Sequence, residues 1–266
     1  MRRGGRGAAT EPEAYRRFTD RLREGLAREP EVLGLVALGS MSGEGAPADE
    51  WSDHDFFVVV RPGAQERFRR DLAWLPDPGE IAFSFQETAH GLKVVYRSGH
   101  LLEFAVFDPE EIRLARVNRY HVLLDRADVA SRMARVREET AAAPPPGDRY
   151  LLGQFLTSLL VGSGRWRRGE RLSGEQLVRQ GALGHLLRLV AAHVPPDDAA
   201  APDGLDPFRR FERAWPRLAA EIHDALSAEV PETARRLLLL AARELGPRVD
   251  LPPAAVEAVQ RAIAGA

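Results

Sequence analysis

The sequence predicts an α+β protein, with a mixed β-sheet and flanking helices first and an all-α helical bundle domain after it. Three observations carry this. Residues 32–107 hold short apolar runs bounded by Gly, Pro, Asp and Ser, the pattern of strands separated by turns. Beyond residue 148 the apolar residues recur only at helical spacing. Between the two parts Ala141 to Gly147 reads Ala-Ala-Ala-Pro-Pro-Pro-Gly, the composition of a linker. The predicted division is a disordered Gly/Arg-rich segment 1–10, a sheet domain 11–142, a Pro-rich linker 143–147 and a helical domain 148–266.

Each element has its own reason. Tyr15, Phe18, Leu22 and Leu26 lie on one helical face, and Pro30 closes that helix. Val32 to Leu38 is a buried-strand run, and Gly39 to Ser52 is loop by composition. Asp53 to Val60 reads as the second strand, stopped by Pro62-Gly63, with a helix expected from about Ala64 to Leu75. Ile81 to Phe85, Leu92 to Arg97 and Leu101 to Phe107 follow as strands, the last two joined at Ser98-Gly99. The chain then turns helical after Asp108-Pro109, where Glu110 and Glu111 suit a helix start. A further strand is expected at His121 to Asp125. In the second half, helices are predicted over Leu151 to Val161, Gln176 to Val194, Phe208 to Leu226 and Thr233 to Leu245.

Composition narrows the function. The 266 residues carry a net charge of −2, without the basic excess of a protein built around a nucleic-acid backbone. No apolar run reaches the roughly 18 residues of a membrane span. The basic start (Arg2, Arg3, Arg6) has no apolar segment behind it, so the cytoplasm is the expected compartment. With no cysteine, thiolate metal sites, disulfides and cysteine nucleophiles are excluded. Lys93 is the sole lysine, which codon bias in an arginine-using chain explains without a functional role.

The chemistry concentrates in two places. Asp53 and Asp55 are two apart on a predicted strand, so both carboxylates project to one face while His54 points to the other. Adjacent carboxylates repel unless a cation lies between them, and hard oxygen ligands favour Mg²⁺. Upstream, with twelve residues intervening before Asp53, the first strand ends in Gly39-Ser40. Glycine there allows close approach of a ligand, and the serine hydroxyl and backbone N–H groups can hold phosphate oxygens. Glu103 sits among apolar neighbours in Leu101 to Phe107, where an ionised side chain is costly unless it faces a cleft or a metal. By alternation it shares a face with Leu101 and Ala105, which is therefore the expected open face.

Leu38-Gly39-Ser40, Ser52-Asp53-His54-Asp55-Phe56, and the hairpin Gly91 to Phe107 with Leu102-Glu103-Phe104 resemble the nucleotidyltransferase superfamily. Val122-Leu123-Leu124-Asp125 is similar to a further strand of that group. The likeness is to antibiotic-modifying adenylyltransferases of the streptomycin and aminoglycoside 6-adenylyltransferase type. It covers roughly residues 11–140, with an architectural likeness beyond. Two features depart from it: Met41 follows the Gly-Ser pair where those enzymes often have arginine, and the loop through Gly43, Gly45 and Pro47 is long. The resemblance implies transfer of a nucleoside monophosphate, AMP from ATP, to a hydroxyl of a small acceptor such as an aminoglycoside-like antibiotic. Asp53 and Asp55 would hold Mg²⁺, Gly39 and Ser40 the nucleotide, and Glu103 a second metal or the acceptor's proton. The acceptor would lie between the sheet and the helical domain.

Other features have simpler readings. Arg165 to Arg171 is the densest basic patch, able to reach phosphates or to close a helix at Gly169. Asp206-Pro207 has the form of an N-cap and N1 pair, with Arg209, Arg210 and Glu212 as weaker cleft candidates. His185 reads as a core histidine. From Asp148 onward 15 Asp and Glu face 16 Arg, a near-neutral balance that decides neither for nor against a local acidic pocket for a polycationic acceptor. Two alternatives remain open at this stage: a protein or tRNA acceptor, as in toxin–antitoxin nucleotidyltransferases, and a non-catalytic nucleotide-binding module.

Overall fold

The computed structural model describes residues 12–43, 48–197 and 204–265. The expected disordered start, 1–10, and Gly45 and Pro47 of the long loop lie outside the described residues. The chain forms two compact units, Met1–Ala143 and Pro144–Ala266.

The first unit is a six-stranded mixed sheet in the order β3-β4-β5-β2-β1-β6. The strands are β1 Val32–Leu38, β2 His54–Val60, β3 Ile81–Gln86, β4 Gly91–Tyr96, β5 Leu101–Phe107 and β6 Tyr120–Asp125. Only β2 and β5 pair in parallel; the remaining pairs are antiparallel. Helix α1 (Glu13–Arg28) lays Tyr15, Phe18, Leu22 and Leu26 on one face of the sheet, all four buried as the spacing predicted. With Phe68 of α2 (Gln65–Arg70) they pack on Phe56, Val58, Leu102, Phe104 and Val106. Each fully buried leucine of this kind contributes about 1.5–3 kcal/mol.

The opposite face has a second core of Val36, Val59, Ala105, Phe107, Ile112 and, from α3 (Val129–Ala142), Val129, Met133 and Val136. No buried member of that core comes from β3 or β4. This face is therefore covered toward β1 and left open toward β3, β4 and the first residues of β2 and β5. Gly34 lets α3 come close, since a Cβ there would stand 2.7 Å from Val129 Cγ2 and 3.1 Å from the Leu124 carbonyl.

Several expected boundaries shift. The helix expected over Ala64 to Leu75 stops at Arg70, because Asp71 turns extended and its carboxylate accepts from the Ala73 N–H. The strand expected from Asp53 begins at His54. The helix expected after Asp108-Pro109 is only a 3₁₀ turn, Glu111–Leu114; the Asp108 carboxylate accepts from the N–H groups of Glu110 and Glu111. Helix α3 was not anticipated, and it takes up Ala141 and Ala142 of the expected linker run.

The second unit is helical: α4 (Asp148–Arg167), α5 (Arg171–Glu175), a wide π-turn over Gln176–Ala182, α6 (Leu183–His193), α7 (Phe211–Ala214), α8 (Pro216–Leu226), α9 (Val230–Leu245) and α10 (Pro253–Ala264). Its core includes Phe155, Leu159, Leu186, Trp215, Leu218, Leu237 and Leu245. The helix expected over Phe208 to Leu226 breaks at Trp215, where Pro216 opens α8. Asp206-Pro207 does not cap it: the Asp206 carboxylate accepts from Phe208 N–H in a turn, Arg210 takes a left-handed φ of +62°, and α7 starts at Phe211.

Candidate active site

The sheet brings the predicted carboxylates together. Asp55 and Glu103 are directly paired across the parallel β2–β5 ladder, so their side chains leave the same face side by side. Asp53 lies just before β2, and one carboxylate oxygen from each of Asp53, Asp55 and Glu103 falls within 4.8 Å of the others. All three are partly exposed. A turn sets Asp53 in place: Trp51 N–H donates to Asp49 Oδ1, and Ser52 Oγ lies 2.9 Å from Asp49 N and 3.0 Å from Asp49 Oδ1.

Gly39 meets this cluster from β1. It begins a 3₁₀ turn, Gly39–Ser42, with φ +50°, and a Cβ built on it would lie 3.2 Å from Asp55 Oδ2. Glycine is needed there both for the left-handed backbone and for the approach to the carboxylate. Ser42 Oγ donates to the Gly39 carbonyl at 2.8 Å and tightens the turn. Met41, the residue departing from the resembled pattern, is a buried plug in the core under α1.

Behind the cluster, His54 is fully buried, as its opposite-face position requires. Its ring stacks on Tyr15 at 3.7 Å, and the Tyr15 hydroxyl donates to the Asp53 carbonyl at 2.8 Å. Thr19 Oγ1 donates back to the Tyr15 carbonyl and so accepts from His54 Nε2–H at 3.0 Å. His54 Nδ1 then accepts from His100 Nε2–H at 2.8 Å, an assignment drawn from this network. Burial, with the neighbouring His100, pushes the His54 pKa down to about 3, and burial lowers that of His100. Two neutral histidines thus clamp the start of β2 to α1, which positions Asp53 and Asp55 without adding charge.

The residue that the sequence reading missed is Lys93. It pairs with Glu103 across β4–β5, and its ammonium lies 3.0 Å from Glu103 Oε1 and 3.0 Å from Glu87 Oε1. Its hydrogen bond to Glu103, then that to Glu87, raises its pKa, so it stays protonated. The available signal was a lone lysine standing at a strand position whose face could be counted. Among the described residues Asp53, Asp55 and Glu103 each bring one carboxylate oxygen toward a common point, and such hard donors suit a divalent cation such as Mg²⁺.

The other sequence features have partners of their own. Arg165 to Arg171 is engaged within the helical unit: Arg167 donates to the Ala262 and Ile263 carbonyls, Arg168 pairs with Glu170, and Arg171 lies over Trp166. Gly169, at φ +85°, closes α4. Glu111 pairs with Arg69. His185 sits on α6, its pKa lowered by burial. Among the described residues no helix is long and apolar enough to cross a membrane.

No family model matches the chain, and no curated protein matches it. Among solved structures it is similar to an aminoglycoside 6-adenyltransferase from Bacillus subtilis, with 13% identity over 93% of this chain and 96% of that one, at a TM-score of 0.37. The functional reading therefore stands on the site itself.

Proposed function

We propose that the protein is a Mg²⁺-dependent nucleotidyltransferase that moves a nucleoside monophosphate, AMP from ATP, to a hydroxyl of a small acceptor. The observation that carries this reading is the three-carboxylate cluster from β2 and β5 with the Gly39 turn pressed against Asp55. A cluster that only needed to be soluble would not require a left-handed glycine at a point where any Cβ would stand 3.2 Å from one of its oxygens.

In this reading Asp53 and Asp55 hold Mg²⁺, which when bound offsets charge on the phosphates. The backbone of Gly39 and Ser40, with the Ser40 hydroxyl, binds and orients the phosphate chain. Glu103 faces the incoming hydroxyl and takes its proton. Lys93 holds Glu103 in place from the β4 side. The aligned hydroxyl oxygen forms its bond to the α-phosphorus as the bond to the β-phosphate oxygen breaks, and pyrophosphate departs. Most of the rate gain comes from positioning and charge rather than covalent catalysis. An aminoglycoside-like antibiotic is one acceptor of this class, and the site's cytoplasmic setting belongs to the same proposal.

The test is ATP labelled at the α-phosphate, incubated with Mg²⁺ and an acceptor panel that includes aminoglycosides and a cell lysate. Label in a small product, lost in Asp53→Ala and Asp55→Ala, supports the reading. Label confined to protein or tRNA would move the acceptor to a macromolecule. ATP bound without pyrophosphate release under any condition would leave a binding module instead.

A further inference from the structure

Two aromatic side chains share the row of the carboxylates, and nothing in the reading above uses them. Phe85 pairs with Lys93, Lys93 with Glu103, and Glu103 with Asp55, so the four lie in line across β3, β4, β5 and β2. Opposed residues put their side chains on one face, and the Lys93–Glu103 ion pair shows that these do. Phe83, two residues along β3, faces the same way. The two rings lie 5.8 Å apart and tilted by 34°. They are 60% and 43% exposed, whereas Phe56, Phe104 and Phe107 of the same sheet are at most 5% exposed. Contiguous exposed apolar surface rimmed by polar groups marks an interaction site, and aromatic side chains are common in the lining of ligand sites.

In-line displacement says which ligand. The leaving pyrophosphate and the attacking hydroxyl occupy opposite sides of the α-phosphorus. With the phosphate chain on Gly39 and Ser40, at the β1 side of Asp55, the opposite side of the row is Glu103, then Lys93, then Phe85. We infer that Phe83 and Phe85 form the acceptor subsite, a stacking platform for a hydroxylated ring compound whose flat apolar face rests on the two rings. This inference rests on the nucleotidyl-transfer reading.

The row also sets the acceptor's size. Two strand spacings, about 10 Å, separate Phe85 from Glu103, so the ring on the platform is not the one that carries the reacting hydroxyl. The acceptor spans at least two linked rings. Its middle passes Lys93 and Glu87, which suits hydroxyl groups that both donate and accept. When the reacting hydroxyl reaches Glu103, its oxygen bonds to the α-phosphorus and its proton goes to the carboxylate. The electron pair of the broken bond leaves on pyrophosphate, and nothing is oxidised or reduced.

The probe is 4-nitrophenyl β-D-glucopyranoside, a neutral compound holding one aromatic and one hydroxylated ring. Saturation-transfer NMR on the full chain should show contact with its ring protons, and which ring receives more transfer tells whether a sugar or an aromatic face rests on the platform. Phe83→Ser with Phe85→Ser should weaken its binding about fivefold, and Phe83→Tyr should retain it. Both side chains are exposed, so the fold tolerates these changes, and unchanged melting verifies it. Mn²⁺ added with a non-hydrolysable ATP analogue should broaden the probe's protons in wild type and not in Asp55→Asn, where transfer persists. The inference is overturned if no transfer occurs, if the serine variant binds equally, or if the ATP analogue displaces the probe, which would make the platform a nucleobase site. It is also overturned if the chain dimerises and the serine variant is monomeric, since the edge strand would then be a subunit contact. If Mn²⁺ fails to bind while the probe still contacts the phenylalanines, the platform stands and nucleotidyl transfer fails.

Discussion

Gly39 and Gly43 provide a matched pair for testing how the glycine turn serves the carboxylates. Both take left-handed backbone, at φ +50° and +72°. Placing alanine at either costs about 1–2 kcal/mol, a loss of roughly 3–4 °C in melting temperature per kcal/mol for a domain of this size. The surroundings differ. A Cβ at Gly43 meets nothing within 4 Å, whereas at Gly39 it stands 3.2 Å from Asp55 Oδ2 and pushes that oxygen by some tenths of an ångström. Displacing a ligand or its support typically weakens metal binding about 10- to 100-fold. Gly39→Ala and Gly43→Ala should therefore lose similar stability by chemical denaturation. Only Gly39→Ala should lose Mn²⁺ affinity by calorimetry, by about tenfold. Equal Mn²⁺ affinity in the two variants would refute the argument that Gly39 exists to admit Asp55.

Other expectations follow from the same geometry. Lys93→Met leaves Glu103 and Glu87 without their shared cation, so Mn²⁺ should bind more tightly by on the order of 1 kcal/mol, about fivefold, measured by the same titration. The folded-state pKa of His54 lies near 3, below its ordinary 6.5, so the unfolded chain takes up a proton first. Stability is then whole above pH 6.5 and falls as pH drops from 6.5 toward 3, by up to about 1.4 kcal/mol per unit. The groups facing that ring are Tyr15, Phe18 and Thr19 of α1 and His100. Denaturation at pH 7 and pH 5 should show the loss in wild type and much less of it in His54→Phe. Gly34→Ala drives a methyl into Val129 and should destabilise the sheet unit by about 1–3 kcal/mol, read as a shift in its denaturation midpoint.

The sheet was legible because its strands are short apolar runs between strong turn formers, and the start of β2 differs from expectation by one residue only. The carboxylate cluster was legible for the same reason: alternation fixes a face, and Asp53, Asp55 and Glu103 all count to the same one. Their meeting is a tertiary fact, supplied by the parallel β2–β5 register. Lys93 was passed over because composition explains a lone lysine among arginines, and its cross-strand register to Glu103 is invisible in one dimension. The histidine clamp was hidden similarly, since Thr19, His54 and His100 meet only after α1 docks. Asp206-Pro207 misled because a turn and an N-cap use the same side-chain chemistry, and the helix begins one turn later.

The central claim is most directly tested by a crystal structure of the protein with Mg²⁺ and a non-hydrolysable ATP analogue. The account predicts a metal ion on Asp53 and Asp55, the phosphates on Gly39 and Ser40, and the α-phosphorus facing Glu103. A nucleotide bound elsewhere, with the three carboxylates holding no metal and Lys93 alone bridging Glu87 and Glu103, would contradict it.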